Sequence, residues 1–124
     1  MLNDHDSSAI LAVRNLDRAR LFYEHVLGLE AIPGEEEDVL AYRTGATRLI
    51  VYRSDFAGTN RANAMVWGVG EDFDAIIAAL EKKGARFEHY PDIGRLEGNV
   101  HIAGGAKLAW LKDPDGNILH INSM

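Results

Sequence analysis

The sequence predicts an α+β fold: two β-α-β-β-β modules whose strands form a mixed, cupped sheet of eight strands, with the helices on the outer face. Three observations predict it. An amphipathic helical pattern occurs twice, each time among apolar runs of strand length. Each helical pattern stops at a glycine, Gly28 and then Gly84. Short motifs also recur in order, "LAY" at 40–42 with "LAW" at 108–110, and "LIV" at 49–51 with "LHI" at 119–121. Under that pairing the counterpart of His120 is Ile50, and that of Trp110 is Tyr42.

In the first module, "SAILAV" (8–13) has the length of a strand. Asn15 is the expected helix cap, and Asp17 sits in the first turn, where the helix dipole favours a carboxylate. Leu16, Ala19, Phe22, Tyr23, Val26 and Leu27 then fall on one helical face. "LEAIPGE" holds a short strand ended by Pro33, and "VLAYRT" (39–44) and "TRLIVYR" (47–53) form two more around Gly45. The polar, small-residue stretch 54–63 reads as a linker. In the second module, "AMVWGV" (64–69) is a strand and the next helix carries Phe73, Ile76, Ile77 and Leu80 on one face. The strands "ARFEHY", "AKLAWLK" (106–112) and "NILHIN" (117–122) follow. Residues 91–105 are a glycine-rich insertion without assigned structure, placed where it could fold over a cavity mouth.

A chain of 124 residues is one domain by length, here 1–124, with modules at about 8–53 and 64–122. Apolar residues make up 47% and charged residues 26%, as in soluble globular proteins. The absence of cysteine excludes disulfides and thiolate metal sites. A net charge of −6 repels polyanions, so neither nucleic acid nor an anionic membrane is an expected partner. The start "MLNDHDSS" is acidic and polar, unlike a signal peptide, and a cytoplasmic location is expected. The acidic "GEEED" (34–38) reads as a solvated loop.

Two segments, "VRNLDRARLFYEHVLGLE" (13–30) and "AWLKDPDGNILHI" (109–121), carry a resemblance. Taken together at this separation, and with the repeat, they make the chain similar to the vicinal-oxygen-chelate superfamily, which includes glyoxalase I, bleomycin-resistance proteins and extradiol dioxygenases. The "DPDGN" piece has a mechanical reading of its own. Pro114 presets a turn and Gly116 or Asn117 accepts a positive φ, so Asp113, Asp115 and Asn117 are expected to serve the turn and not catalysis.

The resemblance implies metal ligands at four positions, one on the first and one on the last strand of each module. Here they fall on Ser8, Ile50, Ala64 (or Met65) and His120. Only His120 is a usual ligand, and a catalytic ion needs about three protein ligands. No cofactor is therefore expected; a divalent ion (Zn, Ni, Fe or Mn) is the alternative. The resemblance also turns one face of the strands toward a cavity. By alternation, Ser8, Ile10, Ala12, Leu40, Tyr42, Ile50, Tyr52, Leu108, Trp110, Ile118, His120 and Asn122 would line it, with His101 reaching it from the insertion.

That lining suits a flat, partly aromatic small molecule. The expected function is binding, of bleomycin-resistance type; the alternative is a metal-dependent glyoxalase-like lyase or isomerase, or a ring-cleaving dioxygenase. A homodimer is implied by the resemblance. Other residues carry plainer readings. Trp67 is core, His25 surface, His5 part of a tail, and His89 and Tyr90 structural. Arg43, Arg48 and Arg53 read as solvated strand edges or dimer contacts.

Overall fold

The computed structural model describes residues 1–34 and 36–124; Glu35, within the expected acidic loop, lies outside the described residues. The chain divides into two compact units, Met1–Thr59 and Asn60–Met124. The expected linker spans the division.

The first unit runs β1 (Ala9–Val13), α1 (Leu16–Arg20), β2 (Glu30–Ile32), β3 (Val39–Thr44) and β4 (Thr47–Arg53). Its four strands lie in the order β1-β4-β3-β2, with β1 parallel to β4 and the rest antiparallel. Asn15 caps α1 as expected, its side chain accepting from the Arg18 amide at 3.0 Å. The helix then widens, and Leu21–Val26 forms a π-helical turn. The Leu27 amide reaches back to the Phe22 carbonyl at 3.0 Å. This widening lets consecutive rings both turn inward: Phe22 and Tyr23 are buried and meet edge-on at 5.0 Å, while Leu21 stays 63% exposed.

The second unit runs β5 (Asn63–Gly68), α2 (Phe73–Lys82), β6 (Arg86–Glu88), β7 (Arg95–Glu97), β8 (Val100–Ala103), β9 (Ala106–Lys112) and β10 (Ile118–Asn122). Strand order is β5-β10-β9-β8-β7, with β6 also on β9. Helix α2 ends in paired bonds, Gly84 N–H to Glu81 O and Ala85 N–H to Leu80 O, with Gly84 at φ +79. The β-α-β-β-β order is thus present twice. Among the described residues ten strands replace the expected eight because the 91–105 insertion forms the β7–β8 hairpin, and hydrogen bonding divides them into sheets of four and six. No helix among the described residues is long and apolar enough to cross a membrane.

Strand alternation sorts each sheet into two faces. In the first unit Leu11, Val13, Leu49 and Val51 are buried together with Tyr23. In the second, Ala109, Leu111, Leu119 and Ile121 are buried, and α2 contributes Phe73, Ile77 and Leu80 to the buried set. The opposite faces carry Ile50 and His120 respectively, and the candidate site residues belong mostly to them.

Candidate functional site

The loop before β10 fixes where His120 lies. Asp113 Oδ1 accepts from the amides of Asp115 (2.9 Å) and Asn117 (2.8 Å), and its Oδ2 accepts from the Asn117 side chain at 2.8 Å. Gly116 takes φ +87, which a Cβ would strain. These carboxylate and amide groups close the turn, as the sequence indicates. Beyond it β10 pairs with β9 so that His120 stands opposite Trp110, and Asn122 opposite Leu108. On the other side His120 pairs with Val66 of β5. Strand β8 places His101 opposite Leu108.

The structure therefore brings His101, Leu108, Trp110, His120 and Asn122 onto one face. They make a packed column instead of a hollow. Trp110 stacks on His120 (ring centroids 4.6 Å, interplanar 19°) and meets His101 and Tyr90 edge-on at 5.0 and 5.1 Å. Only 6% of Trp110 and none of His101 is exposed. Trp110 is expected to line a cavity, yet its ring is covered by its own neighbours. The insertion thus delivers His101 into the column, where the Tyr90 N–H donates to its Nε2 at 2.9 Å. His101 Nδ1 has no hydrogen-bond partner among the described residues. Burial first, then the nearby His89, push the His101 imidazole below its usual pKa of 6.5. The ring is a neutral, structural member of the column.

His120 is held at both nitrogens. Its Nδ1–H donates to the Ala109 carbonyl at 3.0 Å, and the Asn122 amide approaches Nε2 at 3.4 Å. Asn122 is fixed in turn, accepting from the Met124 amide at 3.1 Å.

In the first unit Ile10 pairs with Ile50 and Ala12 with Tyr52 across β1 and β4. Ser8 lies just before β1 and is exposed. Tyr42 is a correction. It pairs with Leu49, so it lies on the α1 side, stacked on Tyr23 at 5.9 Å and 1% exposed. Its hydroxyl donates to Glu24 Oε2 at 3.0 Å. Burial first, then the Glu24 hydrogen bond and charge, raise the phenol beyond its ordinary range, so it stays protonated and holds that carboxylate. Leu40 shares this side, and the Ile50 face of β3 is formed by Val39, Ala41 and Arg43. The counterpart of Trp110 is therefore Ala41, not Tyr42.

Two of the hollows among the described residues open on this unit. One, of about 430 Å³, is lined by Ile32, Val39, Ala41 and Ile50 with Arg48, Arg20 and Glu24 among its polar groups. The other, of about 540 Å³, is lined by Ser7, Ser8, Arg43, Thr47, Arg48 and Asp6, and shares Ile32 and Arg48 with the first. Sequence reasoning missed Val39, Ala41 and Ile32 as lining, and read Arg48 as a solvated strand edge or dimer contact.

The comparisons with known proteins bear on this arrangement. The model of the Glyoxalase/Bleomycin resistance protein/Dioxygenase superfamily matches residues 7–121, almost the whole chain. The chain belongs to that superfamily. Solved structures of the same fold include a glyoxalase/bleomycin resistance protein/dioxygenase from Alicyclobacillus acidocaldarius (23% identity, TM-score 0.72, covering 98% of this chain and 93% of the other). Others are the fosfomycin resistance protein FosX from Mesorhizobium loti (14%, TM-score 0.70, 98% and 92%) and a lactoylglutathione lyase from Agrobacterium tumefaciens (17%, TM-score 0.69, 95% and 92%). At these identities the likeness is one of fold. No curated protein matches the sequence.

Superfamily membership permits a test of the donors. Ile50 sits at the structural counterpart of His120, with Ile10 beside it. Met65 pairs with Leu119 on the α2 side, and Ala64 lies at an irregularity in the β5–β10 register. Among the described residues no three His, Cys, Asp or Glu side chains converge in a way that could hold an ion. The donors present do not fit a catalytic metal, which needs about three protein ligands.

Proposed function

We propose that this superfamily member is a metal-free binding protein for a small molecule with a planar, largely apolar body, of the bleomycin-resistance type. The observation that carries the reading is the Ile50 face: Ile32, Val39, Ala41 and Ile50 floor a hollow of about 430 Å³. Nearby, Ile10 projects from the same face 61% exposed. Apolar surface left open around a concavity is the usual mark of a binding site. Tyr52, on the same face and half-buried, offers a ring edge and a hydroxyl.

A thermal-shift screen of planar aromatic compounds tests the reading, run beside elemental analysis of the purified protein. The expected result is a rise in Tm with such compounds, lost in Ile50→Ser. Trp110→Ala is a poor probe here, because removing a buried Trp costs about 3–5 kcal/mol of stability by itself. Stoichiometric Zn, Ni, Fe or Mn that disappears in His120→Ala would overturn it.

One observation favours a metal-dependent lyase, isomerase or dioxygenase: His120 donates Nδ1–H to a backbone carbonyl, as metal-ligating histidines do. Against it stand the aliphatic residues at the partner positions and the Asn122 amide at Nε2. The reading extends to a homodimer. Strands β1 and β5 each end a sheet, and each exposes an isoleucine or valine, Ile10 at 61% and Val66 at 58%.

A further inference from the structure

The β3–β4 hairpin breaks a rule of sheet pairing. Its register places Arg43 directly opposite Arg48, so two guanidinium groups share the Ile50 face. Like charges facing each other across strands destabilise a sheet. Glu30, opposite Arg43 on β2, neutralises one of them through a 2.6 Å ion pair. Arg48 has no ion pair among the described residues. Its β1 side has no acid either: the β1–β4 register places Ile10 beside Ile50, so Ser8 lies two residues down the same edge, level with Arg48. Arg48 also lines both hollows: the one floored by Ile32, Val39, Ala41 and Ile50, whose charged lining also includes Arg20, Glu24 and Glu36, and the one that contains Ser7, Ser8 and Thr47. The nearest acid of the polar hollow's lining is the exposed Asp6, on the tail before β1.

From this we infer an anion subsite at Arg48, with Arg43 and the Ser7 and Ser8 hydroxyls around it, at the end of the apolar floor. It selects amphipathic acids: molecules whose planar apolar body rests on Ile50, Ala41 and Val39 and whose carboxylate, sulfonate or phosphate reaches the guanidinium. Arginine suits such a role because its planar fork matches a trigonal or tetrahedral oxyanion with two parallel hydrogen bonds. An anion bound there also removes the repulsion between the two arginines, so ligand binding and sheet stability rise together. The inference rests on the proposed binding function and narrows its ligand class.

A matched pair of dyes separates the two claims. 8-Anilinonaphthalene-1-sulfonate and N-phenyl-1-naphthylamine share one aromatic skeleton and differ in the sulfonate. Fluorescence titration of the wild-type chain is expected to show tighter binding of the sulfonate. Arg48→Gln should weaken the sulfonate about 10-fold, the size of one charge-assisted hydrogen bond, and leave the neutral dye unchanged. Arg48→Lys should recover part of the loss, and added salt should weaken only the sulfonate. Arg48 is exposed, so Arg48→Gln is expected to fold, with a Tm equal to or above that of the wild type. Equal binding of both dyes, or an Arg48→Gln variant that holds the sulfonate as well as wild type, overturns the subsite and leaves the binding function standing. Failure of both dyes to bind overturns the binding function and the subsite with it.

Discussion

His120 shows how far a single residue can be read. Its distance from "DPDGN" and the alternation of β10 place it on the face opposite Leu119 and Ile121, and the structure agrees. What surrounds it was not legible, because the stack on Trp110 depends on β9 and the approach of His101 on an insertion without a sequence pattern. His101 supplies a prediction at this scale. The fold holds its ring neutral with a lowered pKa, while the unfolded chain takes up a proton near 6.5. Below that pH the unfolded state binds more protons, so stability falls as pH drops; above it both states are neutral and this contribution is flat. Urea unfolding from about pH 7.5 down to about 5.5 should show that decline, and His101→Gln should reduce its slope. An unchanged slope in the variant would mean that another group carries the effect.

Among the elements, β3 shows why a repeat can mislead. Matching "LAY" to "LAW" beside "LIV" to "LHI" assumes a second hairpin loop two residues longer than the first. The first closes with the two residues between Thr44 and Thr47, whereas the second carries the five between Lys112 and Ile118. The match slips by one residue, and a slip of one sends every side chain to the other face. The signal that would have corrected it was present: a two-residue turn at Gly45 sets Thr44 against Thr47, and counting back sets Tyr42 against Leu49. The helix caps and the "DPDGN" loop were legible because their chemistry is local. The β7–β8 hairpin was not, because its pairing partner is β9. Its weak point is Gly94, at φ +58, where a Cβ would collide with the Ile102 carbonyl oxygen. Gly94→Ala is expected to cost about 1–3 kcal/mol and to loosen this hairpin first, since backbone must move. Hydrogen exchange should show faster amides at Val100–Ala103 than in β4. A wild-type Tm and exchange pattern would refute the close approach.

For the whole molecule, the α+β class and the doubled β-α-β-β-β order followed from the sequence because hydrophobic periodicity and glycine stops are strong, local signals. The strand count did not, since residues 91–105 carry no such periodicity. Superfamily membership rests on the match across residues 7–121. The proposed dimer makes a simple prediction. Light scattering after size exclusion should give twice the chain mass of 13.7 kDa, and Ile10→Asp with Val66→Asp should shift it toward the monomer. A wild-type mass of 13.7 kDa would contradict the dimer. The central claim is metal-free binding of an apolar small molecule, and a titration with N-phenyl-1-naphthylamine tests it most directly. Protein stripped with a chelator and protein dialysed against Zn, Ni, Fe or Mn should bind the dye with the same Kd. Binding that appears only after a metal is restored would contradict the account.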